Sequence, residues 1–175
     1  LPVAERLWDL TGDSREPLIY DSVRKHFNAV SRWDRAGSAW LAFVEDVWRA
    51  NGSSDARLGV RLAESFSALD QPDRLEGVVM ELAGQLVLDD KLTAQLVGLL
   101  TNAGRIESAQ ALIERFPLGQ EGSVELLTAW GRLVLKQNGE DVPRVLLDAL
   151  DGIAEEAPKV AFQLATRAGR KDLGE

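Results

Sequence analysis

An all-α fold of stacked antiparallel helix hairpins is predicted by three features of the sequence. Apolar residues recur with the 3.6-residue period of amphipathic helices, and no segment alternates for long enough to be a strand. Only about two to six residues separate the segments, which forces neighbouring helices to run antiparallel. The tripeptide Ala103-Gly104-Arg105 recurs as Ala168-Gly169-Arg170, with Asn138-Gly139-Glu140 between them. A period of roughly 30–40 residues is that of one helical hairpin in a repeat array.

The N-terminal half contains four predicted helices, each placed by its apolar stripe and its boundary residues. Asp13 or Ser14 is expected to cap the first helix, and Ser53, Ser54 or Asp55 is expected to cap the third. The four helices are predicted over about 17–29, 33–50, 58–69 and 75–87.

The C-terminal half repeats this plan. Asp89 and Asp90 are expected to cap the next helix, where the helix dipole favours negative charge. Gly104 suits the left-handed position after a helix end, and Pro143 suits a first helical turn. The apolar stripes lie within 92–100, 106–116, 126–134, 142–153 and 158–165. The last hairpin is cut off after its turn, so we interpret the chain as a fragment of a longer protein.

One helical-repeat domain over 1–175 is predicted. Aligning the charged residues at the turns gives a mean spacing of about 34 residues; they are Arg35, Arg74, Arg105, Glu140 and Arg170. The approximate units are 1–32, 33–52 with its preceding helix, 53–88, 89–120, 121–156 and the incomplete 157–175.

Several residues stand at the spacing of a known repeat. On first helices they are Leu127, Trp130, Gly131 and Val134, and on a second helix Ala109, Ile113 and Phe116, followed by Pro117. Gly104 and Gly139 fall at or near hairpin turns. From about Pro17 the chain therefore resembles a tetratricopeptide-repeat array. Most units lack the Leu-Gly pair of that family, and Val78 or Val145 replaces a small residue. The resemblance implies a right-handed α-solenoid of about nine or ten helices that binds proteins.

The charge of the chain restricts its partners. The net charge is −8, which argues against binding the phosphates of nucleic acids. It favours a basic protein or peptide, or a cationic polysaccharide. The alternative is that the acidity only keeps an array in solution. No stretch approaches the ~18 apolar residues of a membrane span.

Residues with catalytic or metal-binding chemistry are scarce. His26 is the single histidine, and there is no cysteine. The acidic doublets Asp89-Asp90 and Glu155-Glu156 do not pair by themselves, since adjacent helical residues point about 100° apart. We therefore predict no catalytic residue, no cofactor and no metal site.

Candidate partner-binding residues come from two patterns. Trp40 and Trp48 lie with Trp33 on one predicted helix and could form an aromatic wall, with core packing as the alternative. The solvent-facing positions of first helices would line a concave face; these are Arg57, Arg61, Gln95, Glu125 and Arg132.

The function predicted from these features is a non-catalytic scaffold for protein–protein interaction. Family analogy, the excess of Arg over Lys and the lack of Cys suggest a bacterial cell-envelope assembly or exopolysaccharide export system, with the periplasm favoured. The alternative is a regulatory or accessory repeat module of a larger enzyme. A deep pocket holding His26 and two carboxylates would favour the enzyme, whereas an open groove lined by first helices would favour the scaffold.

Overall fold

A computed structural model of the chain describes residues 6, 21–23, 25, 38–86, 88–115, 123–137 and 142–169. Within these ranges the secondary structure is helical, with turns and short connections and no strand. The sequence predicts a single domain, and the residues pack into two compact units, Leu1–Val87 and Leu88–Glu175. The division falls next to the predicted boundary between 53–88 and 89–120.

The first unit contains helices α1 (Ser38–Ala50), α2 (Ala56–Ala68) and α3 (Pro72–Gln85). Asp55 caps α2 as predicted, since its Oδ1 accepts the N–H of Leu58 at 3.1 Å. The helix α2 packs against both α1 and α3. The predicted helix over 17–29 and the start of the one over 33–50 lie largely outside the described residues.

Trp48 is at the centre of the first unit. Its side chain is fully buried, and its indole Nε1 donates a hydrogen bond of 3.1 Å to the carbonyl of Asp55. The bond satisfies the polar atom that burial of a tryptophan otherwise leaves without a partner. Phe66 and Leu82 are buried in the same unit. Trp48 therefore joins the end of α1 to the start of α2 through the core.

Gly59 lets α2 lie close to this core. A Cβ at Gly59 would be 2.6 Å from Leu82 Cδ2 and 2.8 Å from Trp48 Cζ2. We expect Gly59→Ala to lower the free energy of unfolding by about 1–3 kcal/mol, although alanine is the better helix former. In α3 nothing lies within 4 Å of a Cβ at Gly84, so Gly84→Ala should raise stability slightly. Urea unfolding of both variants checks the pair, and equal effects would contradict the packing argument.

The second unit contains six helices in the part of the chain that is described. The helix α6 is central, because it contacts α4, α5, α8 and α9. The elements are α4 (Asp90–Asn102), α5 (Ile106–Ile113), α6 (Val124–Lys136), α7 (Arg144–Asp148), α8 (Leu150–Glu156) and α9 (Pro158–Arg167).

The structure corrects two predictions in this unit. The helix predicted over 142–153 is interrupted at Ala149, where ψ is 3°. Asp148 and Gly152 on either side are weak helix formers. Phe162, predicted to lie on the apolar stripe of α9, is 65% exposed. The buried face of α9 consists of the pairs 160–161 and 164–165, and Phe162 is rotated about 100° from Ala161 on the helix.

The turn at Gly104 ends α4 as predicted. Gly104 has φ of 75°. Its N–H donates to the carbonyl of Thr101, and the N–H of Arg105 donates to the carbonyl of Leu100 at 2.9 Å. These two bonds form a Schellman motif. Gly169 also has a positive φ, of 70°. The glycines of the recurring tripeptide, Gly104 and Gly169, therefore both follow helix ends.

The same turn in the first unit has aspartate in the place of glycine. Asp70 has φ of 53°, and the N–H of Gln71 bonds to the carbonyl of Phe66 at 2.9 Å. Asp70 thus corresponds to Gly104. Arg74 lies inside the first turn of α3, whereas Arg105 precedes α5. Arg74 and Arg105, which are predicted to correspond, therefore lie at different positions relative to the helix that follows each turn.

Candidate functional site

An open groove of about 520 Å³ lies in the second unit, between α4 and α6, beside the end of α8. Three of the five residues predicted to line a concave face are in it: Gln95, Glu125 and Arg132. All three are exposed. The groove therefore brings together three predicted side chains that lie up to 37 residues apart in the sequence.

The helix α4 forms one wall of the groove. Its lining residues follow helical spacing on a single face: Lys91, Ala94, Gln95 and Gly98. The opposite face is buried through Leu96, Val97 and Leu100. Asp89 fixes the start of the helix, because its Oδ1 accepts the N–H of Leu92 at 2.7 Å. This confirms the cap predicted for Asp89.

The helix α6 forms the other wall. Its lining residues are Val124, Glu125, Thr128, Ala129 and Arg132. Ser123 caps this helix, with its Oγ accepting the N–H of Leu126 at 3.3 Å. Glu156 and Ala157 complete the lining at the end of α8.

Two hydrogen bonds hold α4 and α6 at a fixed separation. Near the starts of both helices, the N–H of Ser123 donates to Asp90 Oδ2 at 3.1 Å. Near their ends, Lys136 Nζ donates to the carbonyl of Thr101 at 3.0 Å. Side-chain to main-chain bonds of this kind fix the register of packed elements. Asp90, predicted as part of a cap, therefore also serves the geometry of the groove.

The groove carries balanced charge. Lys91 and Arg132 are positive, Glu125 and Glu156 are negative, and all four are exposed. None of them forms an ion pair with another described residue. The excess of acid in the whole chain is therefore not concentrated in the groove, as a purely cationic ligand would require.

Thr128 is a buried polar residue in this lining. It is 9% exposed, and its hydroxyl makes no hydrogen bond with the described part of the protein. The hydroxyls of Thr93, Thr101 and Thr166 each donate to the carbonyl four residues earlier, at 2.7–2.8 Å. Buried polar groups are normally satisfied in this way. The Thr128 hydroxyl is thus available to a ligand in the groove.

The remaining predicted binding residues belong to the first unit. Arg57 and Arg61 are exposed on α2 in the first unit, and Arg61 pairs with Glu64 at 3.5 Å. Trp48 is buried, so the core-packing alternative applies to it and it offers no surface to a partner. Trp40 belongs to α1, but its side chain lies outside the described residues, as does His26.

Sequence reasoning missed eight of the residues that line the groove, among them Lys91, Gly98, Thr128 and Glu156. Lys91 and Gly98 could have been predicted from the sequence. Lys91 lies four residues before Gln95 and Gly98 lies three residues after it, on the same helical face. Thr128 has no sequence signal that separates it from the threonines that bond to their own helix.

The described ranges contain neither a cluster suited to a metal ion nor a helix suited to crossing a membrane. No group of three or more His, Asp or Glu residues there is placed to hold a metal ion. None of the helices there has the length and the apolar character that crossing a membrane requires.

Known proteins give no further guide to this site. No protein-family model, no curated protein and no solved structure matches the chain. The groove residues themselves are therefore the basis for a functional proposal.

Proposed function

We propose that this chain is a non-catalytic protein-interaction module in which the groove between α4 and α6 recruits a segment of a partner protein. The observation that carries the proposal is the set of exposed polar side chains gathered there from two helices of fixed separation. Interaction surfaces gain specificity from such preorganised groups, because little ordering remains to be done on binding.

We also propose that the module is a stacked hairpin array of the tetratricopeptide type. Buried residues of α2 and α3 recur 34 positions later in α4 and α5, the period of that family. The pairs are Leu62 and Leu96, Phe66 and Leu100, Leu75 and Ala109, Val78 and Leu112, and Val79 and Ile113. The turn residues Asp70 and Gly104 have the same spacing.

The packing around Gly131 supports this assignment independently. The resemblance places it at the first-helix glycine, where neighbouring helices approach closely. A Cβ there would lie 2.9 Å from both Val160 Cγ1 and Leu164 Cδ1 of α9. The packing of α6 on α9 thus depends on the absence of a side chain at this position.

The cellular setting we propose is a bacterial cell-envelope assembly or exopolysaccharide export system in the periplasm. The resemblance and the Arg-rich, Cys-free composition support it. A basic partner protein would be attracted to a chain of net charge −8. A cationic polysaccharide is a weaker candidate for the groove itself, because Lys91 and Arg132 would face it.

Site-specific photo-crosslinking in the cell tests the proposal. A photoreactive phenylalanine analogue at Gln95 should crosslink to one protein. The same analogue at Ala111, exposed on α5 and away from the groove, is the matched control and should not. Absence of crosslinks at 95, or the same products at both positions, would refute recruitment through the groove. Crosslinks to another part of the same polypeptide would instead indicate that the groove is covered within a longer chain, as the alternative of an accessory module requires.

A further inference from the structure

We infer that the groove takes an extended peptide segment bearing both acidic and basic side chains, with its main chain passing over Gly98 and hydrogen-bonding to the hydroxyl of Thr128. This inference rests on the proposed function and adds the chemistry of the partner. It assigns separate roles to Gly98, to Thr128 and to the four charged residues of the lining.

Gly98 has no explanation within the fold. It lies in the interior of α4, where glycine is a poorer helix former than alanine. Its φ is not positive, and nothing lies within 4 Å of the place where a Cβ would be. Gly84 and Gly152 are likewise helical glycines with open space above them, and Gly98 differs from both because it lines the groove. The open space above Gly98 belongs to the groove, so it allows a bound main chain to approach closely.

Thr128 supplies the second, independent observation. The residue is nine-tenths buried, its hydroxyl has no hydrogen-bond partner among the described residues, and that oxygen still contacts solvent in the groove. A hydroxyl can both donate and accept, which suits the alternating N–H and C=O groups of a peptide main chain. Such a bond replaces the water that this oxygen contacts in the free protein, so it contributes as an ordinary neutral hydrogen bond does.

The charges determine the class of peptide. A polyanion would face Glu125 and Glu156, and a polycation would face Lys91 and Arg132. A segment with both signs can complement both pairs. An amphipathic helix is a poorer fit, because helix-binding grooves are apolar. Here the apolar lining consists of three alanines and Val124, with Gly98 beside them.

Selection from a phage-displayed library of random dodecapeptides tests the inference. We expect the enriched peptides to combine Asp or Glu with Lys or Arg. The affinity of an enriched synthetic peptide should fall at least about tenfold with Gly98→Phe and about three- to tenfold with Thr128→Val. Gly84→Phe is the control, since Gly84 is a helical glycine of the first unit that likewise has open space above it. It should leave the affinity unchanged.

The outcomes separate this inference from the proposed function. Circular dichroism and thermal melts verify that each variant folds, and Gly98→Leu replaces Gly98→Phe if the latter does not. Failure to enrich any peptide, enrichment of one sign of charge only, or full binding by the folded Gly98 variant would overturn the inference. If crosslinking from position 95 still captures a partner, recruitment through the groove stands, and only the position and chemistry of the bound segment are refuted.

Discussion

Replacing Trp48 by alanine is expected to lower the free energy of unfolding by about 3–5 kcal/mol. The side chain is fully buried in the first unit, so its removal loses apolar burial and leaves a cavity beside Gly59 and Leu82. It also leaves the carbonyl of Asp55 without the indole donor. Urea unfolding followed by circular dichroism at 222 nm measures the change. A loss of less than about 1 kcal/mol would contradict a core position for this residue.

A double-mutant cycle sharpens this test. Because Trp48 is one of the two side chains that a Cβ at Gly59 would meet, Gly59→Ala should be less destabilising when Trp48 is already alanine. Trp48→Phe is the milder control, since it keeps an aromatic ring and loses the indole hydrogen bond. Additive effects of the Trp48 and Gly59 substitutions would show that the two residues do not share the same space.

Replacing Glu45 by alanine is expected to cost about 2–3 kcal/mol of stability. Glu45 is 3% exposed, and its two carboxylate oxygens each bind a different arginine. Oε1 contacts Arg49 Nη2 at 2.9 Å, and Oε2 accepts from Arg74 Nε at 3.0 Å. Losing one member of a fully buried pair costs about 3–5 kcal/mol. The value here is lower, because both arginine side chains are 33–44% exposed and keep part of their water.

The neighbours of Glu45 provide the controls. Arg49→Ala should cost less than about 1 kcal/mol, because that side chain is 44% exposed. The loss of stability for Arg74→Ala should lie between the losses for Glu45→Ala and Arg49→Ala, since the Arg74 guanidinium also lies 4.4 Å from the centroid of the Phe66 ring. Combining Glu45→Leu with Arg74→Met should recover much of the loss. Equal effects of Glu45→Ala and Arg49→Ala in urea unfolding would contradict the role assigned to the buried carboxylate.

The helices and their ends were largely predictable, because local chemistry determines them. The caps at Asp55 and Asp89 and the left-handed turn at Gly104 use only groups within a few residues of one another. The 3.6-residue period then places the buried face. Asp70 was harder to recognise, since only the backbone reveals that it occupies the position of Gly104.

Side-chain placement was less predictable where it depends on tertiary contacts. The spacing of Trp48 fits an exposed wall as well as a buried stripe, and only the approach of α2 decides between them. Phe162 is apolar, but the composition of α9 does not reveal that the helix turns this side chain outward. The division of the chain into two compact units likewise has no signal in its loop lengths.

The groove was also predictable only in part, because it combines local periodicity with tertiary contacts. Periodicity placed Gln95, Glu125 and Arg132 on the accessible faces of first helices, and all three line it. The pairing of α4 with α6 depends on bonds between distant residues, such as Ser123 to Asp90. Glu156 comes from a third helix. The Thr128 hydroxyl is open because it lacks the hydrogen bond to its own helix that other threonines make. No local rule identifies these features.

The glycine in the interior of α4 has an evolutionary consequence. Substitution by alanine at position 98 meets no steric obstacle and would strengthen the helix, by about 1 kcal/mol. Mutation alone should therefore replace this glycine readily in lineages where the groove has lost its ligand. Lineages that keep the ligand should retain glycine there, even while the exposed residues around α5 diverge. Retention or loss of glycine at position 98 would thus indicate whether the interaction is still under selection.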